Sequence, residues 1–211
     1  MASDGLERRF SPSGGLRVAE VLPASSGTRL AGYAVRFGER SVDLGGFVEI
    51  IHPSAADRTI REKIDVRAFH SHNSDLLLGR LSNRTLAIRK DPQGLYVEVD
   101  VSEDTSFGRD VVAMVRRGDL TQMSFGFRVE RDGDEWANEN GTLVRTIYDA
   151  TIFEVSTVAA PAYPTTSIGA REVDTSVAMK SLEAHRQGRL PASRVAYLRR
   201  LHRQRLVGST R

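Results

Sequence analysis

Three side chains of this sequence are of the types that a hydrolytic site needs: a hydroxyl, an imidazole and a carboxylate. Ser124 stands in the segment MSFGF, His72 ends the segment DVRAFHSH, and Glu154 lies within TIFEVSTV. A serine hydroxyl becomes a nucleophile when a base takes its proton, and an imidazole is a better base when an acceptor holds its second nitrogen. The three residues are therefore candidates for nucleophile, base and orienting group.

Ser124 lies in a segment with the two-residue period of a β-strand. Four large apolar residues alternate through 123–129 and predict a buried face, which leaves Ser124 on the opposite face beside Gly126. A glycine there leaves room for another chain to approach the hydroxyl. The alternative is an ordinary exposed serine beside a bulge glycine, and the local pattern alone favours that alternative.

The base has to come from the five histidines, which are His52, His70, His72, His185 and His202. The last two lie in a basic tail, which is a poor frame for a preorganised site. His72 enters a polar loop at the end of a predicted strand, a common position for functional residues, and His70 is its rival. Their spacing would also place both imidazoles on one side of a strand, where they could bind a metal ion. A purely structural histidine is the simplest alternative for either.

Glu154 is a carboxylate among apolar neighbours in a predicted strand. Such a group needs either a partner or an exposed position at alternate residues of a half-buried strand. The spacing does not choose between an orienting carboxylate and a surface one.

The elements that must position these residues are mainly strands. Alternation or composition predicts strands over 29–37, 46–51, 65–72, 85–91, 95–101, 121–130 and 143–159. A helix is predicted over 106–117, and Gly118 follows where a helix end favours glycine. A short helix capped by Ser54 is expected after Pro53, and 131–142 is expected to be a polar loop or hairpin tip. This order favours a β-barrel with helical additions.

Composition divides the 211 residues into three parts. Residues 1–28 are rich in Ser, Gly and Pro and predict a flexible lead-in, which leaves 29–170 as the globular domain. Residues 171–211 hold ten Lys and Arg against three Asp and Glu, a net charge of +7 in a chain whose total is +3. That tail is expected to be helical or disordered, with a helix over 192–206, and to meet nucleic acid or an acidic protein.

Other classes of protein are disfavoured by composition. The chain has no cysteine, so disulfides, thiolate catalysis and cysteine-bound zinc are excluded. No stretch approaches the roughly 18 apolar residues that a membrane span needs, and the first residues lack the apolar segment of a secretory signal.

Six segments together resemble a known family. They are GYAVRF (32–37), GGFVEIIHPSA (45–55), AFHSHNSDLLLGR (68–80), GLYVEVDV (94–101), RGDLTQMSFGF (117–127) and FEVSTVAAPAYPTT (153–166). Their types and order resemble the caudovirus prohead serine proteases, which mature the capsids of tailed phages. The sequence departs from the family pattern at Ser71 and Asn73, where Asn and Asp are usual, and at Ser54, where glycine is usual.

The resemblance implies a fold and a site. The fold would be α+β and mainly β, a single barrel surrounded by a few helices, as in the herpesvirus assemblins. The family's histidine falls on His72, its nucleophile on Ser124 and its acidic third member on Glu154. Backbone N–H groups near Phe125–Gly126 are candidate oxyanion donors, and Arg80 is a candidate charged helper. No cofactor or metal is expected.

The resemblance also implies a function. The chain would be a serine endopeptidase that cleaves scaffolding protein, or the scaffolding segment of the major capsid protein, and itself. It would act inside the procapsid in the host cytoplasm, without a membrane, and self-association is allowed. The basic tail would contact scaffold or DNA. Two alternatives stay open: a non-catalytic β-barrel assembly factor that binds capsid protein, and a metal-dependent binding module built on His70 and His72.

Overall fold

The computed structural model describes residues 5–11, 15–21, 27–159 and 175–187. Its strands are β1 (Glu7–Ser11), β2 (Arg17–Val21), β3 (Thr28–Arg36), β4 (Val48–Ile51), β5 (Arg67–His70), β6 (Asn73–Arg80), β7 (Leu86–Lys90), β8 (Gly94–Val101), β9 (Gln122–Val129), β10 (Asp134–Glu139), β11 (Thr142–Ile147) and β12 (Ala150–Val158). Its α-helices are α1 (Asp57–Arg61), which follows a 3-10 turn at Pro53–Ala56, α2 (Ser106–Arg117) and α3 (Ser176–Arg186).

The strands of this described part form three open sheets. Their orders are β1-β9-β12-β5-β6, β10-β11-β4 and β2-β3-β8-β7. The prediction of a mainly β protein with helices is confirmed. These pairings do not form a single closed barrel, because closure would require the edge strands of a sheet to pair with each other.

The core lies where the alternating faces of β8 and β9 meet the apolar side of α2. In β8 every second residue from Leu95 to Val101 is buried, as the period of two predicts. Helix α2 has the predicted bounds: the Thr105 hydroxyl accepts a hydrogen bond from the Gly108 N–H, and Gly118 ends the helix with φ of 86°. The 3-10 turn before α1 is capped by the His52 side chain rather than by Ser54, and α1 itself, which Ala56 precedes, begins without a side-chain cap.

The N-terminal segment differs from the predicted flexible lead-in. Strand β1 pairs antiparallel with β9 through all five of its residues, and β2 pairs with β3. The side chains of Glu7 and Arg9 are buried. The Ser, Gly and Pro content of this region suggested a mobile chain, but its charged residues find partners that lie far away in the sequence.

The predicted long strand over 143–159 is two strands in two sheets. Strand β11 pairs with β10 and β4, whereas β12 pairs with β9 and β5. The chain changes sheet at Tyr148 and Asp149, whose N–H groups both donate to the carbonyl of Gly133. The expected loop over 131–142 accordingly contains β10 and its turn into β11. In the basic tail the structure describes α3, and the helix predicted over 192–206 lies outside the described residues.

A buried cluster of five charged side chains joins β1 to the three-stranded sheet. Its members are Glu7, Arg9, Glu49, Asp134 and Arg145. The Arg145 guanidinium donates to Glu7 Oε2 at 2.7 Å, to Glu49 Oε2 at 3.0 Å and to Asp134 Oδ2 at 2.7 Å. Burial opposes its charge, but the three carboxylates raise the pKa of Arg145 above its ordinary value. Arg145 is therefore the centre of the charged contacts that hold β1, in addition to the backbone pairing of β1 with β9.

Replacing Arg145 with Met is expected to destabilise the fold strongly. Arg145→Met leaves three buried carboxylates with too little positive charge, and breaking a buried ion pair costs about 3–5 kcal/mol. The measurement is the free energy of unfolding in urea at pH 7. The control is Arg29→Met, which breaks the partly exposed pair with Asp100 and should cost less than about 1 kcal/mol. An equal decrease in the free energy of unfolding in both variants would contradict the large contribution of the charged cluster to stability.

Candidate active site

Ser124 lies in the middle of the five-stranded sheet. Strand β9 has β12 on one side and β1 on the other, so Ser124 is opposite Ser156 in one strand pair and opposite Phe10 in the other. Met123 and Phe125 point into the core, which leaves the serine side chain on the other face, as the alternation predicted. The hydroxyl is not accessible as the sequence suggested, because Ser124 is 0 % exposed.

His72 is the second residue of a two-residue turn between β5 and β6. His70 pairs with Asn73, so Ser71 and His72 form the turn, with φ of 52° and 56°. A tight hairpin turn requires positive φ at both central residues and usually holds Asn-Gly. A histidine in this conformation is strained, and strain of this kind is concentrated at functional sites. The turn replaces the longer polar loop that the sequence predicted.

The structure brings the three predicted residues together. His72 Nε2 lies 2.7 Å from Ser124 Oγ, and His72 Nδ1 lies 2.8 Å from Glu154 Oε1. These are hydrogen-bond distances, and they form an unbroken relay from hydroxyl to carboxylate. With the proton on Nδ1, the imidazole donates to Glu154 and leaves Nε2 free to accept the serine proton.

A β-bulge aims Glu154 at the relay. The register of β12 against β9 shifts between Ile152, which is opposite Phe127, and Glu154, which is opposite Gly126. The extra residue, Phe153, puts Ile152 in the core and turns Glu154 to the face of Ser124. Gly126 makes room for it, because a Cβ there would lie 2.6 Å from Glu154 Oε1. The space over Gly126, where the sequence suggested room for another chain, is thus filled by the carboxylate.

The charge state of Glu154 is set by opposing effects. Burial raises the pKa of this carboxyl. The hydrogen bond and charge of His72 and the guanidinium of Arg8 lower the pKa by more than burial raises it, so the pKa of Glu154 is below its ordinary value. Arg8 Nε lies 3.0 Å from the same oxygen, Oε1, that contacts His72. The carboxylate is therefore charged at neutral pH.

The family model described as caudovirus prohead serine protease matches residues 16–182. The chain belongs to this family. Among solved structures, the bacteriophage T4 capsid assembly protease gp21 is similar over 74% of this chain and 99% of its own, with 10% identity and a TM-score of 0.45. No curated protein matches.

The other candidate residues of this chain lie outside the relay. His70 Nδ1 lies 2.9 Å from Thr157 Oγ1, and burial lowers the pKa of His70. Arg80 forms an ion pair with Asp65, which lowers the pKa of that carboxyl to about 2. Among the described residues, no group of three or more His, Cys, Asp or Glu side chains is placed to hold a metal ion. No helix of the described part could cross a bilayer.

Three residues near the relay were missed by sequence reasoning. Arg8 and Arg9 belong to the segment that looked like a flexible lead-in. One signal in that segment was the spacing of Glu7 and Arg9, which are two residues apart and would therefore lie on the same face of a strand. Ser156 is the third. Its buried hydroxyl is opposite Ser124 and has no hydrogen-bond partner among the residues that the structure describes.

The lowered pKa of Glu154 predicts how its contribution to stability depends on pH. A carboxyl whose pKa falls on folding stabilises the protein above its unfolded pKa, about 4.3, and loses that effect as pH falls through the folded value. The difference in free energy of unfolding between wild type and Glu154→Gln should therefore be full at pH 6 and shrink below about pH 4. Denaturant titrations at a series of pH values measure it. A difference that is constant with pH would contradict the assignment.

Proposed function

We propose that this chain is a serine endopeptidase in which Ser124 is the nucleophile, His72 the general base and Glu154 the orienting group. The observation that carries the proposal is the relay of 2.7 Å from Ser124 Oγ to His72 Nε2 and 2.8 Å from His72 Nδ1 to Glu154 Oε1. Membership of a serine protease family supports the reaction class.

Each step of acyl transfer has a named group in this arrangement. Nε2 of His72 takes the hydroxyl proton as Ser124 Oγ attacks a peptide carbonyl, and the tetrahedral intermediate forms. The imidazolium then gives that proton to the leaving amine, the C–N bond breaks, and an ester on Ser124 remains. A water molecule, deprotonated by the same histidine, hydrolyses the ester and restores the hydroxyl.

Glu154 contributes through charge and orientation. Its carboxylate holds the Nδ1 proton of His72, which fixes the tautomer whose Nε2 can accept, and it stabilises the imidazolium during the reaction. Burial strengthens this interaction, because the partly buried pair is screened less than a surface pair. The strained turn conformation of His72 serves the same end, since it places the ring between the two strands that carry its partners.

The oxyanion donors are proposed to be backbone N–H groups of β9 near Phe125–Gly126. In an extended strand the N–H groups of alternate residues point to each side, so those facing β1 are the ones a bound substrate could use. Preorganised donors of this kind lower the barrier because they need no reorganisation during the reaction.

The proposed substrates follow from the family. They are scaffolding protein, or the scaffolding segment of the major capsid protein, and the protease itself, within the procapsid in the host cytoplasm. The proposed protease domain, 29–170, is extended here by β1 and β2, because β1 completes the sheet that holds Ser124. The basic tail is proposed to bind scaffold, with DNA as the rival, and the greater part of the tail, 188–211, lies outside the described residues.

Intact-mass spectrometry of chains co-expressed with the adjacent capsid and scaffold components tests the nucleophile. Wild type is expected to yield shortened protease and capsid protein, whereas Ser124→Ala leaves every chain whole because the ester cannot form. Ser156→Ala, on the opposite strand, is the matched control and should retain processing. Identical processing by wild type and Ser124→Ala would remove Ser124 from the mechanism and favour a non-catalytic assembly factor.

The two histidines are expected to behave differently. His72→Ala should lower kcat/KM for a processed peptide by about a thousandfold or more, because the base and the relay are lost together. His70→Ala removes the contacts of that imidazole with Thr157 and Ser71 and should change kcat/KM less than about tenfold. The outcome that reverses the assignment is a large loss in His70→Ala with near-normal rates in His72→Ala.

A further inference from the structure

Strand β1 covers the nucleophile. Its five residues pair antiparallel with β9, and Phe10 lies directly opposite Ser124. Ser124 is 0 % exposed in this arrangement, so no external peptide can reach its hydroxyl while β1 is in place. A protease with this geometry has to release β1 or leave its site unused.

The backbone of β1 contacts the hydroxyl directly. Ser124 Oγ lies 2.9 Å from the carbonyl oxygen of Arg9, the first residue of the Arg9–Phe10 peptide bond. The same Oγ lies 2.7 Å from His72 Nε2. A hydroxyl has one proton, so it can donate to the carbonyl or to the base but not to both. Contact with β1 therefore competes with activation of the nucleophile.

The side chain of Arg8 competes at the other end of the relay. Its Nε lies 3.0 Å from Glu154 Oε1, the oxygen that also holds His72. A guanidinium at that position neutralises the carboxylate and weakens its support for an imidazolium. Strand β1 thus engages both the nucleophile and the orienting group of the proposed site.

The other face of β1 enters the buried charged cluster. Glu7 Oε2 accepts from Arg145 at 2.7 Å, and Arg9 Nε forms an ion pair with Glu49 Oε1 at 2.8 Å. If β1 leaves, the cluster keeps Arg145, Glu49 and Asp134, a net charge of −1. That is also the charge of the full cluster, because β1 adds one acidic and one basic residue. A replacement strand keeps both pairings when it places an acidic residue opposite Arg145 and, two residues later, a basic residue opposite Glu49.

We propose that the β9 edge beside Ser124 is the substrate-binding edge and that β1 occupies it until a substrate strand takes its place. The substrate is an extended peptide with an acidic residue two positions before a basic residue, and the bond that follows the basic residue is the one cleaved. This inference rests on the proposed function. Addition of a strand to a sheet edge is a common mode of peptide recognition, in which pockets for alternate side chains give specificity.

A reversible lock on β1 tests the occupancy. Leu6 and Arg128 are the next pair along the β1–β9 register, one residue beyond Glu7 and Phe127. The double variant Leu6→Cys/Arg128→Cys can therefore form a disulfide across the two strands. This disulfide has no competitor, because the native chain has no cysteine. Wild type, Glu7→Gln, and the double variant in oxidised and reduced form are treated with a fluorophosphonate. Mass spectrometry follows its attachment to Ser124, and circular dichroism checks that every sample is folded.

The reduced double variant is expected to be labelled at least about tenfold faster than the oxidised one, and Glu7→Gln faster than wild type, because a loosened β1 exposes the hydroxyl more often. Equal labelling of oxidised and reduced protein would overturn the inference while leaving Ser124 as a nucleophile. Absence of labelling in all four folded samples would instead reject the proposed function, and the inference would fail with it.

Two peptides of equal composition test the substrate class. One contains Leu-Glu-Arg-Arg-Phe-Ser, the sequence of residues 6–11, and the other contains Leu-Arg-Arg-Glu-Phe-Ser. The full chain is expected to cleave the first after its second arginine with a kcat/KM at least about tenfold higher than for the second, and Ser124→Ala should cleave neither. Equal cleavage of both peptides, or cleavage at another bond, would overturn the acidic-and-basic pattern.

Discussion

The site depends on how β12 pairs with its two neighbours. Its antiparallel pairing with β9 puts Glu154 beside Gly126 and Ser156 beside Ser124, and its parallel pairing with β5 puts Thr157 beside His70, immediately before the turn that holds His72. One strand therefore fixes the distances among the three residues of the relay. His72 is 52 positions from Ser124 and 82 positions from Glu154 in the sequence. A slip of one residue would turn Glu154 to the opposite face, which is why the bulge before it is as important as the carboxylate itself.

Several departures from ordinary local structure lie around this site. A histidine occupies a turn position that favours glycine, a bulge interrupts the most buried strand, a hydroxyl is buried without a partner, and five charged side chains lie below the sheet. Each of these features costs stability, and natural sequences accept such costs mainly where function requires them. The regular parts of the fold, β8 and α2 above all, supply the rigid core that keeps the strained residues in position.

The N-terminal strand links this stability to the proposed chemistry. The charged cluster that holds Glu7 and Arg9 reaches through Asp134 to Ser181 of α3, whose hydroxyl donates to the same carboxylate at 2.6 Å. The first strand and the last described helix are thus joined by one polar network that passes under Ser124. The Ser, Gly and Pro content of residues 1–28 indicated a mobile lead-in. The buried positions of Glu7 and Arg9 could not be recognised from sequence, because buried charges are rare and the partners, Glu49 and Arg145, lie far along the chain.

The sequence by itself determined the mainly β class, the bounds of α2 and the strand of Ser124, and it made Ser124, His72 and Glu154 candidates for the site, because periodicity, caps and family motifs are local signals. Only the tertiary structure decided that His72 and not His70 reaches Ser124, that 143–159 is divided between two sheets, and that β1 seals the nucleophile. These outcomes depend on register and on charge pairing between distant strands. The apolar residues Ile152 and Val155, both buried but three apart, were the one local sign of the bulge that aims Glu154.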